Sequence, residues 1–371
     1  MIWMYAGFIL IVIALLLLDL GVFHRQAHVI SIKESLCWSA IWVTLGTSFS
    51  ILIFFGYEYH WLRLGLVPDL MTTNPTVVEG GGIVYNDGAS ALIKYLTGYL
   101  VEKSLAVDNI FVIAMVFGFF AVPPIYQHRV LFWGILGALL MRGILIAVGA
   151  ELIATFSWTI YIFGVFLIIT GVKMFFIKTD HQDPHNNFVV RLVRQWIPIT
   201  EKYHGEHFFV VGGSAASLEP ATPGAAIEED RVVRNAKSGV RLATPLFLAL
   251  VSVEFTDLIF AVDSIPAIFS ITTDPFLIFT SNIFAILGLR SLYFALAGMI
   301  HTFKYLKVAL AVVLLVVGAK MITHSWLKEL LGPNFNLYLL GLVVAILALG
   351  IIASLVSAKE SQSDQQTIQS H

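Results

Sequence analysis

A single cysteine in 371 residues, Cys37, leaves this chain without an internal disulfide, a CxxC redox pair or a cysteine-rich zinc site. Charge is nearly as scarce, with Asp, Glu, Lys and Arg together making up 12% of the chain, about half the share usual in globular proteins. The net charge of −2 offers no basic face, so no nucleic-acid partner is expected. The run Gly80-Gly81-Gly82 lacks the strand, helix and lysine of a phosphate-cradling loop and reads as a turn. No nucleophile with an adjacent base and no cofactor motif stands out, so neither an enzyme nor a permanently bound cofactor is expected.

What the chain has is apolar length. Hydrophobic residues are 58% of it and the mean hydropathy is +0.85, which makes it an integral membrane protein. A helix needs about 20 apolar residues to cross a bilayer. Nine stretches qualify, near 2–23, 36–56, 89–119, 130–152, 156–177, 244–271, 275–300, 304–323 and 337–357. The expected fold is therefore an all-α polytopic membrane protein of nine transmembrane helices. No basic residue precedes the first stretch and no cleavage pattern follows it, so it is expected to stay as a helix. Fourteen Lys and Arg residues fall in one set of alternate loops and the C-terminal tail, against Arg63 and Lys328 in the other set. Eight of the fourteen lie in one long loop, and the remaining six against two still place the N-terminus outside and the C-terminus in the cytoplasm.

The chain is expected to divide into two N-terminal helices with an acidic outer loop (1–88), a three-helix unit (89–178), a hydrophilic cytoplasmic loop (179–243), a second three-helix unit (244–323), and a C-terminal helix and tail (324–371). The long loop contains a small-residue run, Gly212 to Ala226, that reads as flexible linker. Its Glu201-to-His207 segment has a Glu-x-x-His spacing, but a di-iron site needs two such motifs on facing helices, and a solvated loop is expected.

A shift of 155 residues lays Ala106-Val107-Asp108-Asn109-Ile110 on Ala261-Val262-Asp263-Ser264-Ile265 and sets Glu102 opposite Asp257. A shift of 148 pairs Arg142 with Arg290. A shift of 147 pairs Gly171-Val172-Lys173-Met174 with Gly318-Ala319-Lys320-Met321. Three successive helices repeat, and an odd number of spans means that the second copy enters from the opposite side. That is the inverted repeat of many secondary transporters, whose sites lie at the repeat interface.

The third and sixth stretches put Glu102, Asp108, Glu254, Asp257 and Asp263 at membrane depth, where each costs about 2.5–3.5 kcal/mol on insertion scales. Either Lys103, Arg142, Lys173, Arg290 and Lys320 neutralise them as structural ion pairs, or a bound cation does. On an ideal helix Glu102 and Asn109 share a face, with Asp108 about 120° away. A helix broken at Pro266, which lacks an N–H for the carbonyl of Val262, would turn Asp263 and a bare carbonyl toward a cation. Asp19 lies near the end of the first helix and is an even choice between interfacial and functional roles. Carboxylates with Asn109, Ser264 and Asn282, and no thiolate, suit a hard divalent cation: Mg, Ca or Mn. Carboxylates also titrate, so proton exchange is the expected driving partner.

The stretches Tyr99 to Asn109, Glu254 to Phe269 and Thr272-Thr273-Asp274-Pro275-Phe276 resemble the TerC family. The likeness runs from Leu18-Asp19 to Gly318-Ala319-Lys320-Met321. That family is named for tellurium resistance and grouped with LysE-type exporters. The resemblance implies a bacterial inner-membrane protein exporting Mn²⁺, with Asp19, Glu102, Asp108, Glu254, Asp257 and Asp263 as the acids that matter. It also leaves room for a membrane scaffold or stress-complex subunit whose acids are structural.

Overall fold

The computed structural model describes residues 2–18, 31–72, 75–77, 83–176, 193, 195–212, 231–296, 305–331 and 335–369. Asp19 and the run 213–226 lie outside these residues.

Helices make up most of the described chain. They are α1 (Ile2–Leu18), α2 (Ile32–Glu58), α3 (Gly88–Phe119), α4 (Pro124–Thr155), α5 (Thr159–Phe176), a short α6 (Arg231–Asn235), α7 (Pro245–Phe269), α8 (Pro275–Ile286), α9 (Leu289–Leu296), α10 (Leu306–Ile322), α11 (His324–Leu331) and α12 (Phe335–Gln369). Their starts follow from local chemistry. Ser31, Asp87 and Asp274 cap α2, α3 and α8 by accepting from backbone N–H groups one turn in, which satisfies donors the helix leaves open. Pro124, Pro245 and Pro275 occupy the first turn, where a missing N–H costs nothing.

Among the described residues, five helical stretches are long and apolar enough to cross a membrane: Ile32–Glu58, Pro124–Thr155, Pro245–Phe269, Pro275–Leu296 and Asn336–Ser354. Shorter apolar helices cover Trp3–Leu18, Thr159–Met174 and Val308–Ile322. Helix α3 is 32 residues long and carries Lys94, Glu102, Lys103 and Asp108 within its apolar sequence. Each apolar stretch read from the sequence overlaps a helix among the described residues.

Two expectations need correction. Helix α7 runs through Pro266 to Phe269 without a break. Pro266 stands one turn from the helix end, where only one interior hydrogen bond is forfeited and the helix continues. The stretch read as a span at 275–300 is one apolar run over Pro275–Leu296, but not one unbroken helix: it turns at Leu287-Gly288 between α8 and α9. Gly288 has φ +80, and a Cβ there would lie 2.6 Å from the Trp42 side chain. Only glycine fits this turn.

Helices α3 and α4 pack crosswise on the later pair, α3 against α8 and α4 against α7, while α5 packs along α10. The α5–α10 contact is close because of glycine. A Cβ on Gly171 would lie 3.0 Å from the Ala311 carbonyl, and one on Gly318 2.9 Å from the Gly164 carbonyl. One apolar cluster joins α1, α2, α3, α4 and α8 through Phe8, Trp42, Tyr95, Phe117, Val130 and Phe284. A second joins α4, α5, α7 and α10 through Ile146, Leu167, Phe269, Leu314 and Val317. Large apolar side chains such as Leu10, Leu140, Val148, Ile169 and Ile352 remain exposed on the helices, as a lipid-facing surface requires.

The loops hold two small hairpins. β1 (Thr76–Val77) pairs antiparallel with β2 (Ile83–Val84). β3 (Phe209–Val211) pairs with β4 (Arg241–Ala243) in the hydrophilic segment, over a core of Val210, Val233 and Leu242. The described part of that segment therefore carries a small packed core, which the sequence reading did not foresee. It docks on the helices: Tyr203 donates to the Phe120 carbonyl at 2.6 Å, and Arg129 pairs with Glu206 at 2.9 Å.

Candidate functional site

The repeated motifs meet at Arg142. Residues seven apart share a helix face, so Glu102 with Asn109 on α3, and Asp257 with Ser264 on α7, present two matching edges. The Arg142 side chain enters between them from α4. Its Nη1 bonds Glu102 and also donates to Ser264 Oγ and Asn282 Oδ1, both at 3.3 Å. Its Nε and Nη2 reach the two carboxylate oxygens of Asp257 at 3.2 and 3.1 Å. Asn109 Nδ2 donates to Asp257 Oδ1 at 3.3 Å.

This node is deeply enclosed, with Glu102 0% and Arg142 2% exposed. A buried guanidinium between two carboxylates is stable only if the charges and hydrogen bonds are well matched. Here the bidentate fork on Asp257 supplies that match. The match is incomplete elsewhere. Among the described residues Glu102 Oε2, Asn109 Oδ1 and Asn282 Nδ2 are buried with no hydrogen-bond partner, so two oxygen acceptors stand open there beside a site with two acids and one fixed cation. Glu254, one turn before Asp257, is half-buried on α7. A Cβ on Gly137 would fall 1.9 Å from Glu254 Oε1, so this glycine makes room for the carboxylate against α4.

Asp108 and Asp263 occupy helical positions on α3 and α7, and their side chains lie outside the described part. Asp19 does too. Of the seven residues expected to hold metal, Glu102, Asn109 and Asp257 are brought together, and Glu254 lies one helical turn from Asp257. Among the described residues no three His, Cys, Asp or Glu side chains cluster tightly enough to hold a metal by themselves. Lys103 and Lys320 are committed to backbone carbonyls, Lys103 at Ala285 and Leu287 and Lys320 at Ser270. Lys173 is exposed.

Sequence reasoning missed a second polar centre at the far end of α8. Asp69, read only as an acid of the outer loop, is buried in an ion pair with Lys94 at 2.9 Å. It also accepts from Thr272 Oγ1 at 2.6 Å, from the Thr273 N–H at 2.9 Å, and from Asn86 Nδ2 at 3.0 Å. Burial pushes the Asp69 carboxyl up, but the Lys94 charge and these donors outweigh it and hold the acid well below the usual range. Asp274, next in the turn, accepts from Tyr57 Oη at 2.9 Å. Burial, with the nearby Asp69 charge, raises it to about 6. The signal that would have found this centre is Lys94, a cation only six residues into a long, largely apolar helix, where a buried charge needs a partner.

Comparison with known proteins shows the family of the chain. Residues 87–362 match the model of the "Integral membrane protein TerC family". The chain is 43% identical over 358 residues to "Uncharacterized membrane protein STKORF319" of Myxococcus xanthus, covering 96% of this chain and 93% of the relative. It is 40% identical to a Salmonella typhi protein and 39% identical to an Escherichia coli K12 protein, both named "Putative membrane-bound redox modulator Alx". Each match spans 346 residues, 92% of this chain and 93% of the relative. No solved structure matches the chain.

Proposed function

This chain belongs to the integral membrane protein TerC family, and from that membership and the geometry of the Arg142 node we propose that it exports a hard divalent cation, Mn²⁺ foremost, in exchange for protons. The observation that carries the reading is the pair of buried oxygens, Glu102 Oε2 and Asn109 Oδ1, that have no partner among the described residues, beside Arg142 and Asp257. Buried acceptors without donors are costly; a hard cation is the partner that oxygen donors favour. Arg142 then acts as a resident counter-charge. It holds Glu102 and Asp257 in place while the site is empty, and it must yield at least one carboxylate when a divalent ion arrives.

The reading places nine spans around an inverted repeat of α3–α5 and α7–α10. Two contacts support that symmetry. Under the 147-residue shift Gly171 corresponds to Gly318, and Gly164 to Ala311. Exchanging the two copies therefore turns the Gly171–Ala311 contact into the Gly318–Gly164 contact, and their clearances of 3.0 and 2.9 Å agree. The site lies where the two copies meet, in a bacterial inner membrane with the C-terminus in the cytoplasm.

One observation favours a second reading, a membrane scaffold with structural acids: both oxygens of Asp257 are already taken by Arg142. The redox role in the relatives' name finds no dithiol here, because Cys37 is the only cysteine. Mn²⁺ uptake into inside-out membrane vesicles, with and without an imposed pH gradient, separates the readings. Export predicts gradient-dependent uptake that Asp108→Asn and Asp263→Asn each abolish while inserting normally. Equal uptake by wild type, both variants and empty vesicles supports the scaffold.

A further inference from the structure

The interruption between α8 and α9 releases backbone from the helix ladder inside the buried apolar run Pro275–Leu296. In an unbroken helix the Ala285 carbonyl would accept the Leu289 N–H. Here Ala285 accepts instead from Nζ of Lys103, on α3, at 3.0 Å, and the Leu287 carbonyl accepts from the same ammonium at 3.3 Å. Both carbonyls belong to buried residues, 0% and 1% exposed. The turn cannot relax into helix around them, because Gly288 is held at φ +80 against Trp42. Two carbonyls without a helical N–H donor, at the negative end of the α8 dipole, form an electronegative cup that the ammonium fills. The C-terminal ends of interrupted membrane helices hold small cations in this way.

We propose that the α8–α9 break is a small monovalent cation site, separate from the Arg142 node, and that the Lys103 ammonium is its tethered occupant in this state. An ammonium group is a compact cation with donors only, and here it sits where a free ion of similar size would. The arrangement links the two centres. Glu102 and Lys103 are neighbours on α3, so a rotation or shift of α3 that frees Glu102 from Arg142 also draws the ammonium off the Ala285 and Leu287 carbonyls. The cup then opens to a free cation as the divalent site changes hands. The binding site itself does not depend on the Mn²⁺ reading, and its test uses no transport assay.

The test is thermal unfolding of the purified full-length protein, as wild type, Lys103→Ala and Lys103→Met, in methylammonium chloride or in choline chloride at equal ionic strength. Lys103→Ala vacates the cup, and Lys103→Met fills the same path with an uncharged chain. The expected result is a lower Tm for Lys103→Ala and a saturable recovery of roughly 2–4 °C in methylammonium but not in choline. Wild type and Lys103→Met are expected to respond alike to the two salts. An equal response of Lys103→Ala to both salts, or none, overturns the proposal. If Lys103→Ala cannot be purified folded in choline, recovery of a monodisperse protein only when methylammonium is present throughout supports the site. Aggregation in both salts counts against it.

Discussion

Arg142 on α4 grips both carboxylate oxygens of Asp257 on α7 while its third nitrogen bonds Glu102 on α3. Three helices, α3, α4 and α7, therefore share one buried charge centre, and its electrostatics set what each substitution does.

Removing Arg142 alone strands two buried carboxylates, which costs about 3–5 kcal/mol when a buried pair is broken from one side. Arg142→Met is expected to lower Tm and yield sharply. The triple variant Arg142→Met, Glu102→Gln, Asp257→Asn is expected to recover most of the loss. Unfolding of wild type, the single variant and the triple variant in one detergent checks this, and a triple variant no better than the single one would show that charge pairing is not what holds the node.

Gly137→Ala separates site from scaffold. The added methyl meets the flexible end of Glu254, not backbone, so the carboxylate can swing aside at little cost in stability. The expectation is a Tm within a few degrees of wild type and Mn²⁺ flux reduced at least tenfold, measured on the same preparation.

Gly171→Ala and Gly318→Ala press on carbonyls of the facing helix at 3.0 and 2.9 Å, which cannot swing aside. Overpacking of this kind costs about 1–3 kcal/mol. Because the two contacts correspond under the repeat, the variants are expected to lose similar amounts of stability. A loss confined to one of them would count against the symmetry.

Asp274 makes the far end of α8 pH-sensitive. Its folded pKa of about 6 lies above the ordinary value of 3.8, so the folded state takes up the proton first and stability from this group rises as pH falls from 7 toward 4. Asp69 works the other way, with a contribution lost only at or below the ordinary carboxylate range. Asp274→Asn is expected to flatten the rise in Tm between pH 7.5 and 5. An unchanged slope would remove Asp274 as its source.

The apolar stretches and their order were legible in the sequence because a membrane helix is written in length and hydropathy alone. The pairing of Glu102 with Asn109 on one face was legible as well, from helical periodicity. Pro266 misled because proline near a helix end forfeits little, whereas the true interruption at Leu287-Gly288 depends on Trp42, a residue far away in sequence. Arg142 could be named as an available cation, but its choice of Asp257 and Glu102 over other acids is a matter of how α3, α4 and α7 cross. Asp69 stayed hidden for a similar reason: only the fold shows that an outer-loop acid reaches Thr272, Thr273 and Lys94.

The central claim is that the shared carboxylates move a divalent cation. The most direct measurement is Mn²⁺ entry into proteoliposomes of purified protein under an imposed proton gradient, comparing wild type with Glu102→Gln and Asp257→Asn. The account predicts gradient-driven flux in the wild type, lost at least tenfold in both variants when flux is compared per folded, reconstituted protein. Wild-type flux no greater than that of protein-free liposomes, or full flux in both variants, would contradict it.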